Sequence, residues 1–314
     1  MNKLGIVFPG QGSQTVGMLA DLATHFKIIQ ETFDQASLVL GYDLWQLVCE
    51  GPAQKLDQTQ YTQPALLTAS YAIWRLLMTN KHLKPMLLAG HSLGEYTALV
   101  CANAISFREG LLLVTARGQY MQEAVSANEG AMAAFIGLDD QVVIDICKEV
   151  AASSQRVLSP ANFNSIGQVV VAGERSAVLK AMDLAKERGA KLTALLPVSV
   201  PSHCSLMQGA AQHMHALLNS ISWQKPDIPI VNNVDVSCYD SSESISESLE
   251  RQLIKPVRWV ETIQYFIKMG ITTIIECGPG KILSGLNKRI DKRLTLMTTA
   301  DYPSIETILA LENV

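Results

Sequence analysis

The sequence predicts an α/β protein: a mostly parallel, buried β-sheet covered by helices, with a small inserted unit of β-α-β-β-α-β order. Three observations predict it. Apolar runs of strand length, "LGIVF" (4–8), "MLLAG" (86–90), "IPIVNN" (228–233) and "TTIIECG" (272–278), are separated by long amphipathic stretches, as a parallel sheet with helical crossovers requires. The middle of the chain has a different rhythm. A serine also stands between two glycines in "GHSLG" (90–94), just where a strand pattern gives way to a helical one.

Taken in order, the middle segment reads as strand "AMAAFIGL" (131–138), helix "DDQVVIDICKEVAA" (139–152), strand "RVLSPANF" (156–163), strand "GQVVVAG" (167–173), helix "ERSAVLKAMDLAKERG" (174–189) and strand "AKLTALLPVSV" (190–200). This order is that of a ferredoxin-like unit. A small subdomain is therefore expected over residues 128–198, with the larger body built from 1–127 and 199–314. The Ser/Glu-rich "YDSSESISESLE" (239–250) reads as a loop entering a capped helix.

With 314 residues, 48% hydrophobic and 17% charged, the chain can bury a full α/β core and one smaller unit. The net charge of -4 gives no reason to expect nucleic acid or an anionic membrane as partner. The six cysteines lack Cys-x-x-Cys spacing and lie mostly among apolar neighbours, which reads as reduced, packed thiols in a cytoplasmic protein. "MNKLGIVFPG" lacks the apolar core and cleavage site of a signal peptide, and no stretch of about 18 apolar residues occurs.

Two glycine-rich stretches fail as nucleotide sites. "GQGSQT" (10–15) has Thr15 where a dinucleotide fingerprint needs a third glycine, and "GPGKI" (278–282) has Ile282 where a phosphate loop needs Ser or Thr. The first still offers a tight turn after a strand, able to aim backbone N–H groups at a ligand.

"GHSLG" matches Gly-x-Ser-x-Gly, a sharp strand-to-helix turn that lifts a serine hydroxyl to the carboxyl end of a sheet. A helix starting near Leu93 would direct its positive end and the Leu93 N–H at a developing oxyanion. Taken alone, the pattern also fits a serine that merely caps the helix. A nucleophilic Ser92 needs a base. His91 adjoins it and is expected to point away and support the turn; His25, His82, His213 and His215 lie on helix surfaces or in a Lys-rich connection. His203, in the return loop "VSVPSHCSLM" after the inserted unit, remains, and the order Ser then His fits this turn.

Arg117 shares a helical stripe with Leu113, Val114 and Met121, which carries its guanidinium inward. A buried arginine demands an anion. Spacing leaves open whether that anion is an internal carboxylate or a substrate carboxylate.

The blocks "FPGQGSQ" (8–14), "QTQYTQPALLTAS" (58–70), "GHSLGEY" (90–96), "ARGQYMQEA" around Arg117, "NFNSIGQVVVAG" (162–173), "PVSVPSHC" (197–204), "VNNVD" (231–235) and "ECGPGKILSGLNKRI" (276–290) together resemble the malonyl-CoA:acyl-carrier-protein transacylases of bacterial fatty acid synthesis. Only about 236–250 and the last twenty or so residues carry no matching block. The resemblance implies a hydrolase-like α/β body with a ferredoxin-like insert. It implies that Ser92 accepts the malonyl group, that His203 is general base and then acid, and that the N–H groups of Gln11 and Leu93 hold the oxyanion. Arg117 is implied to pair with the malonyl carboxylate, Gln63 and Asn162 to line the pocket, and a main-chain carbonyl near Gln252 to orient His203 in place of an acidic third member.

The implied reaction needs no cofactor and no metal. Its partners are malonyl-CoA and, transiently, acyl carrier protein, with no nucleic acid or membrane, and the protein is expected to be a monomer. Alternatives on the same turn are a serine thioesterase or esterase and a freestanding acyltransferase serving a polyketide synthase; from a different class, a noncatalytic carrier-protein adaptor. The basic "LNKRIDKR" (286–293) reads either as a docking patch for an acidic carrier protein or as a solvated helix end.

Overall fold

The computed structural model describes residues 3–126, 128–198 and 200–312. The first part of the body runs β1 (Leu4–Phe8), α1 (Ala20–His25), α2 (Lys27–Leu40), α3 (Leu44–Glu50), α4 (Ala53–Leu56), α5 (Thr59–Leu77), β2 (Leu87–Gly90), α6 (Leu93–Cys101) and α7 (Phe107–Glu123). The insert follows as β3 (Gly130–Ile136), α8 (Asp140–Ser154), β4 (Leu158–Ser165), β5 (Gln168–Glu174), α9 (Arg175–Glu187) and β6 (Leu192–Leu195). The chain then returns through a 3-10 turn (Ser205–Met207), α10 (Gln208–Ser220), β7 (Ile230–Val231), α11 (Ser242–Ile254), α12 (Trp259–Lys268), β8 (Thr273–Glu276), α13 (Ile282–Ile290), β9 (Thr295–Thr298) and α14 (Tyr302–Leu309).

The main sheet has the order β7-β2-β1-β8-β9 and every pairing in it is parallel. Its central strands are buried on both faces, which explains their unbroken apolar runs. One face packs on a large cluster that includes Leu66, Ile73 and Leu99, and the other on Trp259, Ile263 and Phe266. The chain leaves β1 toward β2 on one side and later fills β8 and β9 on the other, so the order reverses at β1. Ligand crevices of open α/β sheets form at such a reversal, outside the carboxyl ends of the strands.

The insert is an antiparallel sheet of order β4-β5-β3-β6. Strand alternation divides its residues: Ala133, Phe135, Val169 and Val171 pack under α8 and α9, while Met132, Ala134, Val170 and Ala172 face the body. A register shift near Asn162 bends β4, and reciprocal bonds at 2.9 Å between Phe163 N and Val257 O and between Val257 N and Ala161 O tie it to the segment before α12. This places one face of the insert over the carboxyl end of the main sheet. The expected seams of the subdomain fall at Ala127 and Ser199, which lie outside the described residues.

The sequence reading did not anticipate β9, the outer strand beside β8. Its residues are half-buried or exposed, so "TLMT" lacks the continuous apolar run that marks the inner strands. "YDSSESISESLE" does enter a helix: Ser241 caps α11 in a reciprocal capping box with Ser244.

Candidate active site

Ser92 stands between β2 and α6 with φ 53° and ψ -104°, a strained conformation for a residue with a side chain. The flanking glycines of "GHSLG" are required for room rather than for positive φ. A Cβ on Gly90 would lie 1.8 Å from Gly94 C, and one on Gly94 would lie 2.1 Å from Phe8 O. Asn233, just beyond β7, holds the turn from outside: its Oδ1 accepts the Ser92 N–H at 2.8 Å and its Nδ2 donates to Gly90 O at 2.7 Å.

The turn uses the Gly94 N–H on His91 O and the Glu95 N–H on Ser92 O. The Leu93 N–H, first of α6, has no partner available within its own helix. Gln11 follows β1 in the neighbouring loop, and both Gln11 and Leu93 border the same cavity of about 170 Å³ as Ser92.

Ser92 Oγ lies 2.8 Å from His203 Nε2 and accepts from Arg117 Nη2 at 3.1 Å. His203 Nδ1 lies 2.7 Å from Gln252 O. A carbonyl only accepts, so Nδ1 carries the proton and Nε2 presents its lone pair to the Ser92 hydroxyl. Burial, and secondly the Arg117 charge, push the His203 pKa down from 6.5 to about 3. The ring is therefore a neutral base at physiological pH.

Arg117 projects from α7 and is 1% exposed. Among the described residues none of its hydrogen-bond partners is a carboxylate: Nη1 donates to Gln63 Oε1 at 2.9 Å, and Nη2 to Gln252 Oε1 at 3.0 Å as well as to Ser92. Its Nε has no acceptor in hydrogen-bond geometry among the described residues; the Tyr96 ring lies 5.1 Å from the guanidinium carbon instead.

Asn162 borders the cavity, as do Met132 and Val170 from the body-facing side of the insert. Gln63 does not. Its side chain is bonded to two residues that do, accepting from Arg117 Nη1 at 2.9 Å and donating to Met121 Sδ at 3.5 Å. His91 makes no hydrogen bond to the Ser92 side chain among the described residues. It borders the cavity, and its ring is held by Asn164 Oδ1 at 2.8 Å and set 5.5 Å from the Trp259 ring. His25, His82, His213 and His215 do not border the cavity; His25 stacks on Tyr302, His213 lies against Tyr120, and His215 pairs with Glu250.

Sequence reasoning missed Asn233, Glu95 and Tyr239. Glu95 is fully buried in α6 and accepts from Asn233 N at 3.1 Å, from Gln252 Nε2 at 2.7 Å and from the Tyr239 hydroxyl. Burial pushes its pKa up from 4.5 to about 7, against the pull of these bonds and of Arg117. The available signal was a carboxylate inside the otherwise apolar "LGEYTALVC". Beside "GPGKI" the Glu276 carboxylate occupies the start of α13, accepting from Leu283 N and Ser284 N. Among the described residues no three His, Cys, Asp or Glu side chains gather as a metal site would require, and no helix is long and apolar enough to cross a membrane.

A serine on a strained strand-to-helix turn, beside a neutral imidazole and under a helix N-terminus, is the arrangement of acyl-transfer enzymes that work through an acyl-serine. Residues 6–293 match the model of the acyl transferase domain family, and the chain belongs to that family. Among its relatives, the malonyl CoA-acyl carrier protein transacylase of Escherichia coli K12 is 51% identical over 99% of this chain and 100% of its own length, and that of Bacillus subtilis is 41% identical over 98% and 96%. The solved malonyl CoA-acyl carrier protein transacylase of Coxiella burnetii superposes with a TM-score of 0.96 at 49% identity, covering 98% of this chain and 97% of its own. A malonyl-transacylase solved in complex with its type II polyketide acyl-carrier protein also gives 0.96, at 51% identity over 98% and 99%.

Proposed function

We infer that the protein transfers a malonyl group from malonyl-CoA to the phosphopantetheine thiol of acyl carrier protein, through a malonyl ester on Ser92, in the supply of fatty acid synthesis. The observation that carries the reading is the position of Ser92 Oγ between His203 Nε2 at 2.8 Å and Arg117 Nη2 at 3.1 Å. One contact activates the hydroxyl. The other sets a cation where the far carboxylate of a short diacid would lie.

In the first half reaction His203 Nε2 takes the Ser92 proton as Oγ bonds to the thioester carbonyl carbon. The carbonyl oxygen becomes an oxyanion facing the N–H groups of Gln11 and Leu93. The tetrahedral intermediate collapses with cleavage of the C–S bond, and the imidazolium returns the proton to the leaving CoA thiolate. The second half runs in reverse with the carrier thiol: His203 takes the thiol proton, sulfur attacks the ester, and Ser92 recovers its hydrogen. The Gln252 carbonyl fixes the tautomer throughout, though it stabilises imidazolium less than a carboxylate would. Arg117 holds the malonyl carboxylate so that the ester carbonyl stays in the oxyanion site, which disfavours attack by water. All bonds and protons balance on the chain, the malonyl thioester and the carrier thiol, with no cofactor. The work is that of a cytoplasmic monomer meeting its carrier transiently.

The likeness to the transacylase of a polyketide carrier protein supports a second reading, in which the acceptor belongs to a polyketide pathway. Mixing with malonyl-CoA and measuring intact mass tests the core reading: one malonyl adduct is expected, absent in Ser92→Ala. An adduct surviving that substitution would overturn it. Supplying purified carrier proteins from each pathway to the loaded enzyme separates the two acceptors.

A further inference from the structure

The acyl-transfer steps leave the buried Glu95 carboxylate beside the site unused. Gln252 bridges it to the site: the amide Oε1 accepts from Arg117 Nη2 at 3.0 Å, while Nε2 donates to Glu95 Oε2 at 2.7 Å and to Ser92 O at 3.0 Å. The amide thus presents its negative end to the guanidinium and its positive end to the carboxylate. We propose that Glu95 is a positioning residue and the internal counter-ion of Arg117, and that it takes up a proton when a substrate carboxylate occupies the guanidinium.

This inference rests on the reading that Arg117 receives the malonyl carboxylate. A fully buried guanidinium requires an anion, yet among the described residues no carboxylate is bonded to Arg117. Glu95 supplies the charge one amide away, which keeps Arg117 cationic while leaving it free to receive the substrate. The same carboxylate braces the Ser92 turn, since it accepts from the N–H of Asn233 and from the Gln252 side chain that binds Ser92 O.

Loading malonyl puts a second anion in the same poorly hydrated volume with one cation, and two such anions favour protonation of the more basic. Glu95 is already poised near neutrality by burial. The titratable and charged groups facing it are Tyr239 from the segment after β7, Arg117 from α7 and Tyr96 from its own helix; α11 contributes the neutral Gln252. Esterification itself conserves protons: the Ser92 hydrogen leaves on the CoA thiol, and the proton on Glu95 comes from solvent.

Ionised Glu95 competes with the incoming carboxylate for Arg117. The rate of loading from malonyl-CoA should therefore fall between pH 6 and pH 8 by up to about tenfold, the change in protonated fraction of a group titrating midway. Loading from acetyl-CoA, which carries no carboxylate, should stay flat. Glu95→Gln is neutral at every pH and can keep its carbonyl toward Asn233 N and Gln252 Nε2, so the malonyl-specific limb should vanish and the ratio of malonyl to acetyl loading rates should be the same at pH 6 and pH 8. Tyr239→Phe removes a donor to the carboxylate and should move the limb to higher pH; this variant decides the matter if Glu95→Gln does not fold. A malonyl-specific limb that survives in Glu95→Gln, an unmoved limb in Tyr239→Phe, or equal slowing of both acyl groups at all pH values would overturn the proposal. If Arg117→Ala leaves the malonyl preference intact, the underlying reading of Arg117 fails instead.

Discussion

Asn233 clamps the turn that carries Ser92, accepting the Ser92 N–H and donating to Gly90 O across the two ends of the bend. The backbone of Ser92 is strained, at a cost of about 1 to 3 kcal/mol, so something outside the turn must hold it. Asn233→Ala leaves a buried N–H and a buried carbonyl without partners. Stability should fall by about 1 to 3 kcal/mol or somewhat more, measured by denaturant unfolding, and malonyl loading should slow beyond what partial unfolding explains. A variant with unchanged stability and rate would remove Asn233 from the site's support.

His203 should show its environment in the pH profile. Its pKa is held near 3 by burial and by Arg117, so loading should show no acidic limb near pH 6.5 and should persist below pH 5. The stability linkage has a matching sign. A histidine depressed in the folded state contributes stability that is complete above 6.5 and is lost as pH falls toward 3. His203→Ala should slow loading by roughly two to four orders of magnitude, the usual scale for a general base; a loss under tenfold would exclude that role.

Glu95 makes the opposite contribution. Its folded pKa is raised from 4.5 to about 7, so the folded state binds more protons than the unfolded chain across that interval. Its favourable share is complete below pH 4.5 and is lost as pH rises toward 7. Relative to wild type, Glu95→Gln should gain stability steadily from pH 4.5 to pH 7.5 in equilibrium unfolding. A gap that is constant with pH would mean that Glu95 stays ionised throughout.

For carrier docking, the 286–293 segment divides in two. Arg293 pairs with Asp291 and Arg289 donates to Gln168, while Lys288 and Lys292 form no ion pair among the described residues. Lys288→Glu with Lys292→Glu should raise the Michaelis constant for carrier protein in a salt-dependent manner and leave loading from malonyl-CoA unchanged. An unchanged constant would leave this segment as a solvated helix end.

How much of this was legible in the sequence followed from locality. The inner strands announced themselves because burial on both faces demands unbroken apolar runs, whereas the half-exposed β9 carried no such mark. Ser92 and Arg117 were visible as a five-residue pattern and a helical stripe, and His203 emerged by elimination. Glu95 and Asn233 were not visible, because their meaning arises only where elements 138 residues apart converge. The bridging of Arg117 to Glu95 through Gln252 likewise depends on α6, α7 and α11 meeting at one point.

The central claim is that Arg117 holds the substrate rather than the fold. Removing a partner from a buried ion pair costs about 3 to 5 kcal/mol, which corresponds to roughly two to four orders of magnitude in rate. The most direct measurement is the ratio of malonyl to acetyl loading rates in Arg117→Ala, with the melting temperature of the same protein. The predicted result is a fall of that size for malonyl with little change or a gain for acetyl, in a protein whose melting temperature drops only by the loss of the buried Arg117 contacts to Gln63 and Gln252. Parallel loss of both rates with a lowered melting temperature would contradict the claim and assign Arg117 to the fold.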